Sequence, residues 1–367
     1  SKPTFQKKQS FIYELNPRTG KIEKRERETY ISMEKFPFLR ENDNHYSILD
    51  LKMIPENDRS VIEMLRNGFS IGCFQLESPG MRGLLRKLQM DTMDDVIISV
   101  ALIRPGAANS GMKDTFIRRR AGLEPVKYLH PILEPVLKDT LGVVIYQEQV
   151  MQIAHHVAGI SLSEADHLRR AMTKHRNKKE IYKLRNQFIE GVREKGLSLA
   201  NASRLWNFLL NFTGYGFNKA HAATYGVLAY QSAFLKKYFP VFFMTAVLNN
   251  EGGFYSRMAY VEEARRLGIR ILPPDVNESD ALFTCHEDKI RVGLSCVHEL
   301  SAKTIRRILG ERSKGPFKDL RDFLLRVKPA VNEALNLAKC GALRSIMPSE
   351  PEAILMIKLF FANKKRW

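Results

Sequence analysis

The amino-acid sequence predicts a mainly α-helical protein that opens on a short β-hairpin. Three observations carry that prediction. From about Ile48 onward, apolar residues recur at helical spacing with capping residues in front of the runs. Near the start, Phe11-Ile12-Tyr13-Glu14-Leu15 and Lys21-Ile22-Glu23-Lys24-Arg25-Glu26 flank Asn16-Pro17-Arg18-Thr19-Gly20, a turn signal between two strand-like segments. With 367 residues, 44% hydrophobic and 27% charged, the chain has room for two or three soluble, globular domains. Its longest apolar run, around Phe239 to Leu248, is too short to span a bilayer.

Charge narrows the function. The 58 Lys and Arg against 40 Asp and Glu leave a net +18, which suits a polyanionic partner. From His167 to Lys195 there are ten Lys or Arg against three Glu, a local excess of seven. That concentration favours nucleic acid over a solvated basic surface or anionic lipid. The four cysteines, Cys73, Cys285, Cys296 and Cys340, show no paired spacing, so neither a zinc site nor a disulfide framework is implied. No signal-peptide pattern is visible, and a reducing cytoplasm fits.

In order, Asn57 and Asp58 are cap candidates before Val61, Ile62, Met64 and Leu65. A turn over Gly72 to Met81 precedes a helix carrying Leu84, Leu85 and Leu88. Glu77, Asp91, Asp94 and Asp95 read as helix-start caps rather than metal ligands. Arg104-Pro105-Gly106 begins a loop ending near Gly111, and Arg118-Arg119-Arg120 closes the next helix. Three consecutive arginines point around most of a helix and cannot all grip one carboxylate. A phosphate backbone and a solvated helix end both remain open for them. Tyr146 to Val157 reads as a helix whose His155 and His156 lack metal-spaced partners.

Ser163-Glu164-Ala165-Asp166 has the capping-box pattern of a helix start. Arg170, Lys174 and Lys178 follow at i, i+4, i+8 as one basic stripe, with Arg169 beside it. An Asp166–Arg170 ion pair on a solvated face is one reading; a bidentate grip on phosphate is the other. Downstream, Gly214-Tyr215-Gly216-Phe217-Asn218-Lys219-Ala220-His221 is a Gly-rich turn opening a long helix. Such a turn presents backbone N–H groups and the positive end of a helix dipole to phosphate. Lys219 and His221 add donors, and Tyr215 an aromatic face for a base. Tyr225, Leu228, Ala229, Ser232 and Leu235 mark the expected packed face, and Pro240 starts the next helix. Phe283 to Val292 reads as a strand pair turning at Glu287-Asp288-Lys289. Ala353 to Phe361 is an apolar helix whose Leu359-Phe360 is expected in the core.

Together, Leu168-Arg169-Arg170-Ala171-Met172-Thr173-Lys174 and the Gly214 stretch resemble the fingers of the bacterial DNA polymerase III α subunit, the C-family replicative polymerases. The resemblance extends in order through Phe74-Gln75-Leu76-Glu77-Ser78-Pro79-Gly80-Met81, Ala101-Leu102-Ile103-Arg104-Pro105-Gly106, Gly142 to Met151 and Ile271-Leu272-Pro273-Pro274-Asp275-Val276-Asn277. It implies helical polymerase fingers over 45–270, a tandem helix-hairpin-helix domain over 271–346 and a C-terminal helix over 347–367. Residues 1–44 resemble the end of the family's palm.

By this resemblance Arg169, Arg170, Lys174, Tyr215, Asn218, Lys219, His221 and Lys35 are nucleotide-binding. Arg118, Arg119, Arg120, Lys178, Ser301 and Lys303 are the expected DNA contacts. The hairpin that usually reads Gly-hydrophobic-Gly is Glu299-Leu300-Ser301, so backbone contact to phosphate there stays open. The family's third catalytic aspartate falls on Pro37 of Lys35-Phe36-Pro37-Phe38-Leu39, and no Asp-x-Asp strand occurs in the sequence. No catalytic residue or metal ligand is therefore expected in this chain. Mg²⁺ and a deoxynucleoside triphosphate are expected only if a palm is supplied. Expected partners are primed duplex DNA, a palm-bearing polymerase chain, a sliding clamp or other replisome proteins, at the nucleoid and not at a membrane. Two readings stand: polymerase fingers that act with a palm, or a non-catalytic DNA-binding paralogue.

Overall fold

The computed structural model describes residues 7–15, 22–30, 41–42, 45–46, 51, 54–103, 111–174, 178–212, 216–250 and 252–362. The expectations for Lys35, Pro37 and Tyr215, and the loop from Arg104, lie outside them. Strands β1 (Lys7–Leu15) and β2 (Ile22–Tyr30) pair antiparallel, Lys7 opposite Tyr30 and Leu15 opposite Ile22, as the turn signal predicts. A second short antiparallel pair joins β3 (Glu41–Asn42) to β4 (His45–Tyr46). The chain divides into two compact units: Pro55–Tyr238, and Phe239–Trp367 grouped with Ser1–Ile54.

The first unit is helical: α1 (Arg59–Arg66), α2 (Pro79–Leu88), α3 (Met93–Leu102), α4 (Met112–Arg120), α5 (Glu134–Leu137), α6 (Gln147–Ala158), α7 (Leu162–Lys174), α8 (Lys178–Glu194), α9 (Leu199–Phe212) and α10 (Lys219–Tyr238). Local caps start several of them. Asp58 accepts the Val61 N–H at 2.9 Å ahead of α1, while Asn57 turns to the Met93 N–H. Thr92 and Asp95 form a capping box on α3, so Asp95 is a cap as expected, whereas the Asp91 carboxylate pairs with Arg66 and Arg120 instead. For α7 the box is Ser161 with Glu164, two residues ahead of the expected Ser163 and Asp166. Both pairs have the right spacing. Asp166 differs because its carboxylate is taken by Arg169 and Arg170.

Two packing centres hold this unit. Phe188 and Trp206, fully buried with ring centroids 5.6 Å apart, anchor a cluster with Leu133, Ile153, Val157, Leu168 and Leu209. Aromatic residues of this size bury roughly 150–250 Å² each, the largest single contributions to such a core. Elsewhere α10 lies against α3 through small residues. Gly226 comes so close that a Cβ would sit 2.5 Å from Ile97 Cγ1 and 2.7 Å from Ile97 Cα.

The packed face of α10 differs from the expected one. Ala229 is buried, but Leu228 is 44% exposed, and Ser232 Oγ accepts the Phe74 N–H. The helix turns instead so that Ala222, Gly226, Tyr230, Ala233, Phe234 and Lys236 point inward. Polar groups with partners explain the rotation. Tyr230 Oη accepts the Asp58 N–H at 2.7 Å and donates to Pro55 O, and Lys236 Nζ donates to the Phe69 and Ile71 carbonyls. Such partners remove the usual cost of burying a hydroxyl or an ammonium. Burial pushes the Tyr230 hydroxyl pKa up to about 12.

In the second unit, α11 (Pro240–Asn250) begins at Pro240 as expected, followed by α12 (Arg257–Arg266). Strands β6 (Thr284–His286) and β7 (Lys289–Arg291) form the expected antiparallel pair. A strand not expected, β5 (Arg270–Leu272), adds parallel to β7. Helices α13 (Ala302–Arg312), α14 (Leu320–Val327), α15 (Val331–Lys339) and α16 (Glu350–Ala362) enclose a core around Ile308, Phe323, Leu337 and Ile357. Asn277 binds the backbone of Phe317 in both directions, and Asp275 accepts from Ser345 Oγ. The Pro-Pro-Asp-Val-Asn stretch is thus a strut within this unit. Phe360 is in the core as expected, whereas Leu359 is 41% exposed. Among the described residues no helix is long and apolar enough to cross a membrane.

Candidate functional site

The two basic motifs meet on the first turn of α6. A parallel bridge pairs Tyr146 with Phe217: the Phe217 N–H donates to Ile145 O at 3.1 Å, and the Gln147 N–H to Phe217 O at 2.9 Å. Gly216 allows this approach, since a Cβ there would sit 3.0 Å from Gln147 Cγ. Arg169 Nη1 donates to Gln147 Oε1 at 3.1 Å. The next residue, Glu148, accepts the Asn218 amide on Oε1 at 2.9 Å and the Lys219 N–H on Oε2 at 2.8 Å. Two consecutive side chains of α6 therefore hold the two motifs, whose sequence positions lie some fifty residues apart.

Within this arrangement the two arginines differ. Arg169 also binds Asp166 Oδ1 and is largely covered, with its side chain 23% exposed. Arg170 pairs with Asp166 Oδ2 at 2.6 Å yet keeps its side chain 65% exposed. Hydrogen bonds from Arg169, ahead of those from Arg170, hold the Asp166 carboxyl below its usual range. The ion pair read from the sequence is present, and Arg170 still presents its guanidinium to solvent. Arg170 and Lys174 lie on α7 and Lys178 on α8, so the expected stripe falls on two helices.

Asn218 Oδ1 accepts the His221 N–H at 2.8 Å, which caps α10. Lys219 is exposed, its Nζ 5.7 Å from the centre of the Tyr146 ring. His221 lies in an aromatic row, 5.3 Å from Phe217 and 4.0 Å from Tyr225, which is itself 5.3 Å from Phe74. Sequence reasoning gave Gln147, Glu148 and Phe74 no part in this site. A Gln-Glu pair opening a helix was the available signal for the first two.

The arginine triplet is tied into its own unit. Arg118 and Arg119 both reach Glu124, at 3.0 and 3.1 Å, and Arg119 Nη1 also donates to Leu141 O. Arg120 binds the buried Asp95 at 2.7 Å. Only Arg118 of the three is as much as half exposed.

In the other unit, the hairpin before α13 is closed by a carboxylate. Glu299 stands at φ +56°, the left-handed conformation that glycine adopts most readily, and Ser301 caps α13. The Ser301 N–H donates to Glu333 Oε1 at 3.0 Å. Thr304 Oγ1 and the Ala330 N–H both donate to Glu333 Oε2 at 2.8 Å. Burial alone would raise the Glu333 pKa, but hydrogen bonds from Ser301, Ala330 and Thr304 outweigh it and hold the value at about 2. Lys303 is exposed on the first turn of α13.

Two family models match these regions. The bacterial DNA polymerase III alpha subunit finger domain matches residues 34–196, and a helix-hairpin-helix motif matches 268–353. Over most of its own length this chain is similar to the bacterial DNA polymerase III alpha subunits. It is 45% identical to DNA polymerase III subunit alpha of Thermus aquaticus over 305 residues, 80% of this chain and 25% of that protein. The same subunit of Campylobacter jejuni is 39% identical over 297 residues, 79% of this chain and 25% of its own length. That of Caulobacter vibrioides is 38% identical over 320 residues, 86% of this chain and 28% of its own. The chain thus spans about a quarter of the length of these relatives. Arg169 and Arg170 on α7 lie within the matched 34–196, Lys219 on α10 lies beyond it, and the three flank the α6 bracket. Among the described residues no group of three or more His, Cys, Asp or Glu side chains could hold a metal ion.

Proposed function

We propose that this chain provides the nucleotide-selecting and DNA-gripping part of a replicative or repair polymerase, and that the metal-binding carboxylates come from a palm. The observation that supports it is the α6 bracket. Gln147 and Glu148 hold Arg169 and the Asn218-Lys219 turn while Arg170 and Lys219 stay exposed. Arg170 would grip triphosphate oxygens with its planar fork, and Lys219 would add a point charge. The Gly214 turn would give the base an aromatic face at Tyr215. Lys178 would meet the DNA backbone, and Lys174, expected beside the nucleotide, would add its charge to both polyanions, where charge acts without regard to sequence. In transfer chemistry of this kind, Mg²⁺ activates the primer hydroxyl and neutralises the phosphates. In this reading a palm-bearing chain would hold that ion, with other replisome proteins as further partners.

A second reading, a DNA-binding paralogue without chemistry, is favoured by one feature. The backbone donor that the hairpin would offer to DNA, the Ser301 N–H, is already bound by Glu333. Titrating a fluorescent deoxynucleoside triphosphate into the chain bound to primed duplex separates the two. The polymerase reading expects saturable binding that Arg170→Ala weakens. No binding would favour the paralogue.

A further inference from the structure

We propose that Glu148 is a positioning residue for the deoxynucleoside triphosphate site, an inference that rests on the nucleotide reading above. A carboxylate beside a cluster meant for phosphate is electrostatically adverse, because it repels the anion that the arginines and lysine attract. Its presence calls for a compensating task, and the hydrogen bonds identify one. Both oxygens of Glu148 are engaged, Oε1 by the Asn218 amide and Oε2 by the Lys219 N–H.

The Lys219 N–H is one of the donors that the start of α10 leaves without an intrahelical partner. Glu148 satisfies it from another helix. Asn218, held by Glu148 through its Nδ2, uses its Oδ1 to cap the His221 N–H. One carboxylate thereby fixes the direction in which α10 begins, and with it the directions in which Lys219 and His221 leave the backbone. The neighbouring Gln147 holds Arg169, so a single helical turn sets the spacing between both sides of the site. Glu148 touches no phosphate in this scheme. It acts through Asn218 and Lys219.

The test exploits opposite signs. If Glu148 mattered only as a charge, removing it would tighten binding of any polyphosphate; if it positions the turn, removing it weakens binding. The full chain on primed duplex is titrated with dATP and, separately, with inorganic tripolyphosphate. Glu148→Ala is expected to weaken dATP about tenfold, the loss of a charge-assisted hydrogen-bond pair. Glu148→Gln keeps one acceptor oxygen and removes the charge, and is expected to fall between Ala and wild type. DNA affinity and the thermal midpoint serve as controls for folding, and neither should change for the Gln variant. Wild-type binding of dATP with equal or tighter binding by both variants overturns the positioning role alone. Wild-type binding of neither ligand overturns the nucleotide reading and this proposal together.

Discussion

The Glu333 carboxylate accepts the Ser301 backbone N–H at 3.0 Å, joining the start of α15 to the start of α13. An internal anion thus occupies the helix N-terminus from which the hairpin would otherwise address a phosphate. The residue also closes the Thr304 hydroxyl and the Ala330 N–H, so three donors depend on it.

This linkage should be visible in the acid range. The folded Glu333 pKa of about 2 lies below its ordinary value of 4.5. Its contribution to stability is therefore fully present above about pH 4.5 and is lost as pH falls toward 2. The shift corresponds to about 3 kcal/mol as an order of magnitude. Urea unfolding of wild type and Glu333→Ala should differ by about that much at pH 7, and the gap should narrow clearly at pH 3. An equal gap at both pH values would contradict the carboxylate's role.

The α3–α10 contact predicts a contrast between two glycines. At Gly226 a methyl group meets Ile97 at 2.5 Å, in part against backbone. Gly226→Ala should cost about 1–3 kcal/mol by overpacking. At Gly310, inside α13, nothing lies within 4 Å of an added Cβ. Gly310→Ala should stabilise by about 0.5–1 kcal/mol through helix propensity. Thermal midpoints that move in the same direction for both would refute the close contact.

Much of this fold was legible because its signals are local. Asp58, Asp95 and the turn signal between β1 and β2 act within a few residues of themselves, and each marks an element boundary near where the structure has it. The Ser161 box was misplaced by two residues because Ser163 and Asp166 satisfy the same spacing. What the sequence hid are partners distant along the chain. Arg120 finds Asp95, Ser301 finds Glu333, and Tyr230 finds Asp58, 172 positions away. The inward turn of Lys236 was illegible for the same reason, since two carbonyls of a distant segment make its burial tolerable. The basic residues of the site could be named from motifs, but the Gln147–Glu148 bracket needed the fold.

DNA binding should be electrostatic and indifferent to sequence. With roughly five phosphate contacts, log K should fall with log salt at a slope of about −4 to −5. Lys174→Ala and Lys178→Ala should weaken all primed duplexes alike and make that slope shallower by about one unit each. Filter binding across a salt series on two unrelated sequences checks this. A flat salt response would dismiss the electrostatic account.

The purified chain alone should extend no primer. Its sequence has no Asp-x-Asp strand, and Pro37 stands where the resemblance expects an aspartate. Arginine and lysine neutralise phosphate charge, yet they do not lower the pKa of a primer hydroxyl as a bound metal does. Pro37→Asp should leave the isolated chain inactive. Mg²⁺-dependent extension by the unaltered chain, abolished by Arg170→Ala, would show the carboxylates to have been misplaced.

Arg170 carries the central claim, because it is exposed at 65% beside a bracket that gathers both motifs. The decisive measurement is the dissociation constant of a deoxynucleoside triphosphate for the chain on primed duplex, wild type against Arg170→Lys. Lysine keeps the charge and loses the planar fork. The account predicts weaker binding by the variant, by about 1 kcal/mol or more, with DNA affinity unchanged. Equal affinity of the two proteins for the triphosphate would contradict it.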